Sequence, residues 1–259
     1  MKEIKKYLET REGKYSFFFE DLEGGYVYGY NEHEPMISAG CTKLLIAVSL
    51  IKEEEIGKVS FLDKIKIEKN DKVYGTGIIH EFSEREYTIF ELLVAMLIQS
   101  DNTATNKIID IVSMDRINEI IKDMGLKNTK LNRKTRDERN NKDTIENIST
   151  AYDLCSVWRH LHNATYLNID NSTMLIDILT RQQIKNKLAL YIPEESKFVI
   201  SSKSGDKSGV ENDTELIHLS KGDFTFTVLS KNIPNSVYGT VTLAKSGKMM
   251  WDFVMNDWK

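Results

Sequence analysis

The chain has 259 residues, 41% hydrophobic and 29% charged, a balance ordinary for a globular protein long enough to bury a core without disulfide or metal staples. Lysine and arginine number 35 against 39 acidic residues, a formal net charge of -4, so no basic excess points to nucleic acid or an anionic membrane surface. Two cysteines, Cys41 and Cys155, exclude the dense disulfide framework of small secreted domains and are expected as buried free thiols.

The opening residues, MKEIKKYLETREGKYSFFF, are charged from the start and hold no apolar stretch of signal-peptide length. No run approaches the roughly 20 apolar residues of a membrane helix. As written, the sequence predicts a soluble cytoplasmic protein, or a periplasmic or secreted one if a leader has been removed. Three prolines and no Gly/Ser-rich run leave no flexible linker. Residues 14–20 (KYSFFFE) and 25–30 (GYVYGY) are aromatic strands joined as a hairpin through Asp21-Leu22-Glu23-Gly24. After Pro35, the nearly all-apolar stretch from Lys43 to Ile51 predicts a helix buried on most of its circumference.

Helices are then expected at 87–99, 103–112, 114–124, 149–161 and 172–180, each amphipathic or apolar and separated by short polar turns. Strand signals return at 197–202 (KFVISS), 214–219 (TELIHL) and 223–229 (DFTFTVL), followed by a closing helix near 237–254. Strands at both ends with helices between imply one antiparallel sheet assembled from the two chain ends, a helical second lobe, and a cleft between them.

Three short motifs follow this frame. Ser38-Ala39-Gly40-Cys41-Thr42-Lys43 leads into the first buried helix. Residues three apart share a helix face, so a serine three before Lys43 could hand its proton to the amine. Gly40 stands there, with no side chain to attack. Cys41, two before Lys43, lies about 200° round a helix from it, and Ser38, five before, falls in the extended approach, so neither takes over that role. Ser100-Asp101-Asn102 sits at a turn between two apolar helices, where Ser100 and Asn102 can face a cleft while Asp101 secures the turn. The same residue types are also the best helix N-caps. Lys-Ser-Gly occurs at 203–205, 207–209 and 245–247, and only the first continues a strand with further strands behind it. On an edge strand, Lys203 and Ser204 can bind a substrate carboxylate while Gly205 admits the substrate backbone.

Taken in this order, and with the wording LLVAMLIQSDNTATNKII around the second motif, these residues resemble the class A β-lactamases and the related penicillin-recognising serine hydrolases over nearly the whole chain. The resemblance implies an α/β (α+β) two-lobed fold. Its antiparallel five-stranded sheet, flanked by helices, would be built from 1–60 and 190–259, and its all-helical lobe from 61–189. It implies acyl transfer with Gly40 at the nucleophile position, Lys43 as base, Ser100 as proton relay, Asn102 on the substrate amide, and oxyanion donors at the backbone N–H groups of Gly40 and Asp206. The family's water-activating glutamate and the asparagine four residues on fall, in register from Leu131 and Arg133, at Thr135 and Arg139, leaving Asp137 and Glu138 as stand-ins for deacylation.

The expectation is therefore a β-lactamase-type hydrolase impaired at Gly40. The alternatives are a non-catalytic binding module for a β-lactam-like or peptide ligand, or a related D-alanyl peptidase or esterase. The expected partner is a small-molecule or peptide acyl substrate, with no cofactor, no nucleic acid, no membrane span and a monomeric chain. His33, His80, His160, His162 and His218 show no metal-ligand spacing, so no metal is expected. Gly75-Thr76-Gly77 should turn beside the cleft, and the aromatic runs at 17–19 and 26–30 should pack the sheet.

Overall fold

The computed structural model describes residues 1–136, 145–193 and 198–256. A short helix, α1 (Lys2–Glu9), opens the chain. It was not foreseen, because only Ile4 and Leu8, one turn apart, face the interior and the rest of its surface is charged.

The expected hairpin forms from β1 (Lys14–Asp21) and β2 (Val27–Tyr30), with Phe17 opposite Tyr30 and Phe19 opposite Tyr28. Phe17 stacks on Tyr28 at 5.9 Å and Phe19 on Phe224 at 5.8 Å, so the aromatic runs are sheet packing. The chain then returns as β7 (Phe198–Lys207), β8 (Val210–Leu219) and β9 (Gly222–Lys231), before a terminal helix α8 (Ser236–Asn256). The strands order β2-β1-β9-β8-β7 with every pairing antiparallel, so the β1–β9 seam joins the two chain ends as expected. β7 runs past the foreseen Ser202 to Lys207, which puts Lys203-Ser204-Gly205 inside a strand at the sheet edge.

Between the two strand groups lie α2 (Thr42–Glu55), α3 (Ile89–Ile98), α4 (Asn102–Val112), α5 (Met114–Asp123), α6 (Ala151–His162) and α7 (Ile169–Thr180). Every residue of α2 from Thr42 to Ile51 is buried. That helix is the axis of a core shared with α3, α4, α5 and Trp158 of α6. A second core packs α1 and α8 against the sheet through Phe17, Phe226, Leu243 and Trp251.

The helix foreseen from Tyr87 begins two residues later. Residues 85–88 instead form β5 (Arg85–Thr88), paired with β4 (Lys64–Ile67), and Thr88 caps α3 by accepting from Glu91 N at 3.1 Å while the Glu91 carboxylate accepts from Thr88 N at 2.7 Å. This reciprocal box fixes the start of the helix. A further pair, β3 (Met36–Ile37) with β6 (Ile148–Ser149), joins the approach to α2 to the approach to α6. Both cysteines are buried free thiols. Among the described residues, no helix is long and apolar enough to cross a membrane.

One buried residue breaks the polar logic of the core. Glu215 lies directly opposite Phe226 and so shares its face, is 1% exposed, and has no hydrogen-bond partner for either carboxylate oxygen among the described residues. Burial, reinforced by the Asp213 charge, raises its pKa well above the ordinary carboxylate value. A folded pKa above the unfolded one contributes stability that is present below the unfolded pKa and lost as pH rises. Glu215→Met is therefore expected to stabilise the chain by about 1–3 kcal/mol, with a larger gain in urea denaturation at pH 8 than at pH 4. A loss of stability at pH 8 would show that the carboxyl has a partner after all.

Candidate active site

A single 3-10 turn, Ala39–Cys41, enters α2. It lies backbone against backbone on β7. A Cβ added to Gly40 would stand 2.7 Å from Ser204 O, 3.0 Å from Gly205 Cα and 3.6 Å from Ser100 Oγ, and one added to Gly205 would overlap Gly40 N. Gly40 does not occupy the left-handed region. Its lack of a side chain is a matter of space between two segments rather than of φ.

Lys43 projects from the first turn of α2 into a buried polar cluster. Its Nζ donates to Ser100 O at 2.5 Å, Ser100 Oγ at 3.0 Å and Asn102 Oδ1 at 3.1 Å. Burial, with help from the Lys203 charge, lowers its pKa well below the ordinary lysine value, which favours the neutral amine. Ser100 sits at φ +54, a strained conformation for a non-glycine residue.

Asp101 holds it there. Oδ1 of Asp101 caps α4 by accepting from Ala104 N at 2.9 Å, and Oδ2 accepts from Ile78 N at 2.7 Å and Ile79 N at 2.8 Å. Capping and presentation are therefore divided among the three residues. Asp101 is the cap and pins the 72–82 loop, while Ser100 and Asn102 meet Lys43. Asn102 Nδ2 donates to Tyr74 O at 3.2 Å, and Asn102 N donates to Thr76 O at 3.0 Å. Thr76 lines the cleft between Gly75 and Gly77, both at positive φ, as the turn reading expected.

The cleft has a volume of 360 Å³ and is bounded by Gly40, Lys43, Ser100 and Asn102 on one side and Ser204, Gly205 and Asp206 on the other. Seven of the residues singled out from the sequence thus meet at one cavity. Lys203 is adjacent but differently placed. It is 0% exposed, its Nζ donates to Ser204 O at 2.9 Å, and burial lowers its pKa to about 8.

Cys41 Sγ donates to Lys203 O at 3.2 Å, and burial pushes its thiol up to about 12, so it remains a protonated strut against β7. Ser38 Oγ pairs with Thr42 Oγ1 at 2.8 Å. Neither group bonds Lys43. Asp137 and Glu138 lie outside the described residues.

Thr135 is held to α4, its N–H donating to Asn106 Oδ1 at 2.9 Å. The loop that carries it is pinched by Asn147, which accepts from Asn132 N and Arg133 N at 2.7 and 2.9 Å.

Two site residues escaped the sequence reading. Glu146 lines the cleft and bridges Lys207 at 2.6 Å and Arg133 at 3.5 Å. Lys187 is buried behind β7, its Nζ 2.6 Å from Glu211 Oε2, 3.2 Å from Gly205 O and 3.5 Å from Asp206 Oδ1. Both lie in polar stretches whose spacing carries no signal, since each partner comes from a different element.

A family model described as the Beta-lactamase enzyme family matches residues 1–254. Beta-lactamase SME-1 of Serratia marcescens is 28% identical over 109 residues, 42% of this chain and 37% of that protein. D-alanyl-D-alanine carboxypeptidase DacF of Bacillus subtilis is 25% identical over 126 residues, 46% of this chain and 32% of that protein. The matched stretches span about a third of each curated relative. Among solved structures, a beta-lactamase from Sphaerobacter thermophilus superposes with a TM-score of 0.90 at 24% identity, covering 96% of this chain and 95% of that one. PBP-A gives 0.89 at 20%, covering 98% and 95%, and a class A beta-lactamase from Mycobacterium abscessus gives 0.87 at 21%, covering 96% and 97%. At these identities the superpositions establish the fold.

Proposed function

The chain belongs to the beta-lactamase enzyme family, and from that premise we propose that it is a β-lactamase-type acyl-transfer scaffold whose nucleophile position is Gly40, so that it binds its ligand without forming a bond to it. The observation that supports this most directly is the Lys43 amine, buried and within hydrogen-bond reach of both Ser100 Oγ and Asn102 Oδ1, one helical turn after a residue with no side chain.

In a form carrying serine at 40, the β7 backbone would first have to give way, since the new Cβ would otherwise stand 2.7 Å from Ser204 O. The hydroxyl would then give its proton to the Lys43 amine and attack the substrate carbonyl. Backbone N–H groups at 40 and 206 would donate to the oxyanion. Ser100 Oγ, already bonded to Lys43, would return the proton to the leaving nitrogen, leaving an ester at residue 40. Release of that ester needs a base for water. Among the described residues, Thr135 brings no carboxylate and Glu146 is ion-paired with Lys207 and Arg133, so release of the acyl form would fall to Asp137 or Glu138. The ligand class is a β-lactam or a related amide or peptide, with a D-alanyl peptide or an ester as the alternative substrate.

Intact-protein mass spectrometry of the chain and of Gly40→Ser, each incubated with a fluorescent penicillin and a chromogenic cephalosporin, tests the reading. The serine form alone should gain the acyl mass, and the time for which it keeps that mass reports whether Asp137 or Glu138 supports deacylation. Labelling of the chain as written, or of neither form, would overturn the β-lactam assignment.

A further inference from the structure

We propose that Glu23, His162 and Asp223 form a binding site for one divalent transition-metal ion, with zinc the best chemical match. The site lies at the end of the sheet opposite the cleft. Asn212, beside Gly205, and Leu219, opposite Gly222, are seven residues apart on β8, about 23 Å at the rise of an extended strand.

The three side chains come from three elements. Glu23 stands in the β1–β2 turn, His162 is the last residue of α6, and Asp223 is the second residue of β9. The segments of the two carboxylates are tied without help from any ion: Leu22 N donates to Asp223 O at 2.9 Å, and Glu23 N donates to the Asp21 side-chain Oδ1 at 3.0 Å. One ligand atom from each side chain lies within 4.8 Å of the others, and His162 Nε2 is 3.0 Å from Asp223 Oδ2. A zinc ion with ligands at about 2.0–2.2 Å needs such atoms to stand only slightly closer together than 4 Å.

The orientation of His162 is a separate pointer. Its Nδ1 is held 2.8 Å from Asn163 Oδ1, which turns Nε2 toward Asp223 Oδ2. A ligating histidine typically donates its other ring N–H to a carbonyl or carboxylate in this way. The second oxygen of Asp223 is in contact with His218 Nδ1, which orients the carboxylate. Two carboxylates and an imidazole nitrogen thus converge at an accessible surface, where a cation would be attracted by both acidic groups. A nitrogen ligand beside two carboxylates suits zinc, whereas calcium prefers six or more oxygens. Spacing along the chain could not reveal this set, because 139 residues separate Glu23 from His162 and 61 separate His162 from Asp223.

Isothermal titration of the full chain with zinc chloride in chelator-free buffer should show one ion per chain. The affinity should fall by about tenfold or more in His162→Ala and in Glu23→Gln and be unchanged in His33→Ala, an exposed histidine elsewhere. Glu23 lies in an exposed turn, so its variant keeps the fold and remains readable. In parallel, zinc should raise the melting temperature, EDTA should reverse the rise, and calcium should not reproduce it. Absence of zinc binding, binding unchanged in both ligand variants, or a response to calcium without one to zinc would each overturn the site.

Discussion

Replacing Lys43 with methionine in a Gly40→Ser form is expected to slow penicillin acylation by about 10²–10⁴-fold, the usual contribution of a positioned general base. The expectation follows from the way Lys43 is held. Its amine is buried, bonded to Ser100 and Asn102, and held well below its ordinary pKa by burial and by Lys203, so it gives up its own proton, and becomes able to accept one, more readily than an ordinary lysine. Methionine keeps the volume and the packing of α2 while removing the base.

The pH profile carries a second signature. Acylation should rise with pH as the remaining Lys43 amines lose their protons. If the Lys203 charge (folded pKa about 8), buried beside the cleft, attracts an anionic substrate as proposed, acylation should fall above about pH 8. Rates of fluorescent-penicillin labelling across pH 5–10 read both limbs. Equal rates with and without Lys43 would remove it from the mechanism, and a flat alkaline limb would remove Lys203.

Lys187→Ala should cost about 3–5 kcal/mol in urea denaturation, the range for breaking a buried ion pair by deleting one partner. Lys187 and Glu211 are each 2% exposed and 2.6 Å apart, and Ser236 also donates to the Glu211 carboxylate. Burial alone would lower the lysine pKa, but Glu211 and Asp206 outweigh it and hold the value above that of an ordinary lysine. A raised lysine contributes stability that is fully present below its unfolded pKa and is lost only as pH rises through the folded value. The deficit should therefore be constant from pH 6 to 9 and shrink only in strong alkali. Without the lysine, the Glu211 charge is left buried and unmatched. The double variant Lys187→Met/Glu211→Leu should recover much of the loss, because a well-packed apolar pair avoids the desolvation cost. A cost below about 1 kcal/mol for Lys187→Ala would mean that the pair behaves as an exposed one. Since Lys187 also donates to Gly205 O, the same variant should loosen β7 where it meets Gly40.

Much of the frame was legible before the fold. Alternating and clustered aromatics in 14–30, the apolar run after Lys43 and the β-branched stretches after 197 are local patterns, and local patterns set element type because side chains repeat every 2 or 3.6 residues. The three motifs were legible for a related reason: each lies within one turn or one strand, so its residues stay close in space whatever the rest of the chain does.

Where the sequence reading fell short, long-range pairing was the cause. Residues 87 and 88 look helical until β4 offers them a strand partner. The division of Ser100 and Asn102 from Asp101 was expected, but not that Asp101 also pins the 72–82 loop through Ile78 and Ile79. Glu146 and Lys187 carry no signal in the chain until β7 and β8 are laid beside them, and Glu23, His162 and Asp223 share nothing in the chain. From residue types alone come the family's element order, the three motifs and the missing side chain at 40, since each is a matter of covalent identity or short-range geometry. How closely β7 approaches Gly40, which charges are buried against which, and which ligands converge at the far end of the sheet were decided only by packing, because each is a distance between segments that only the folded chain brings together.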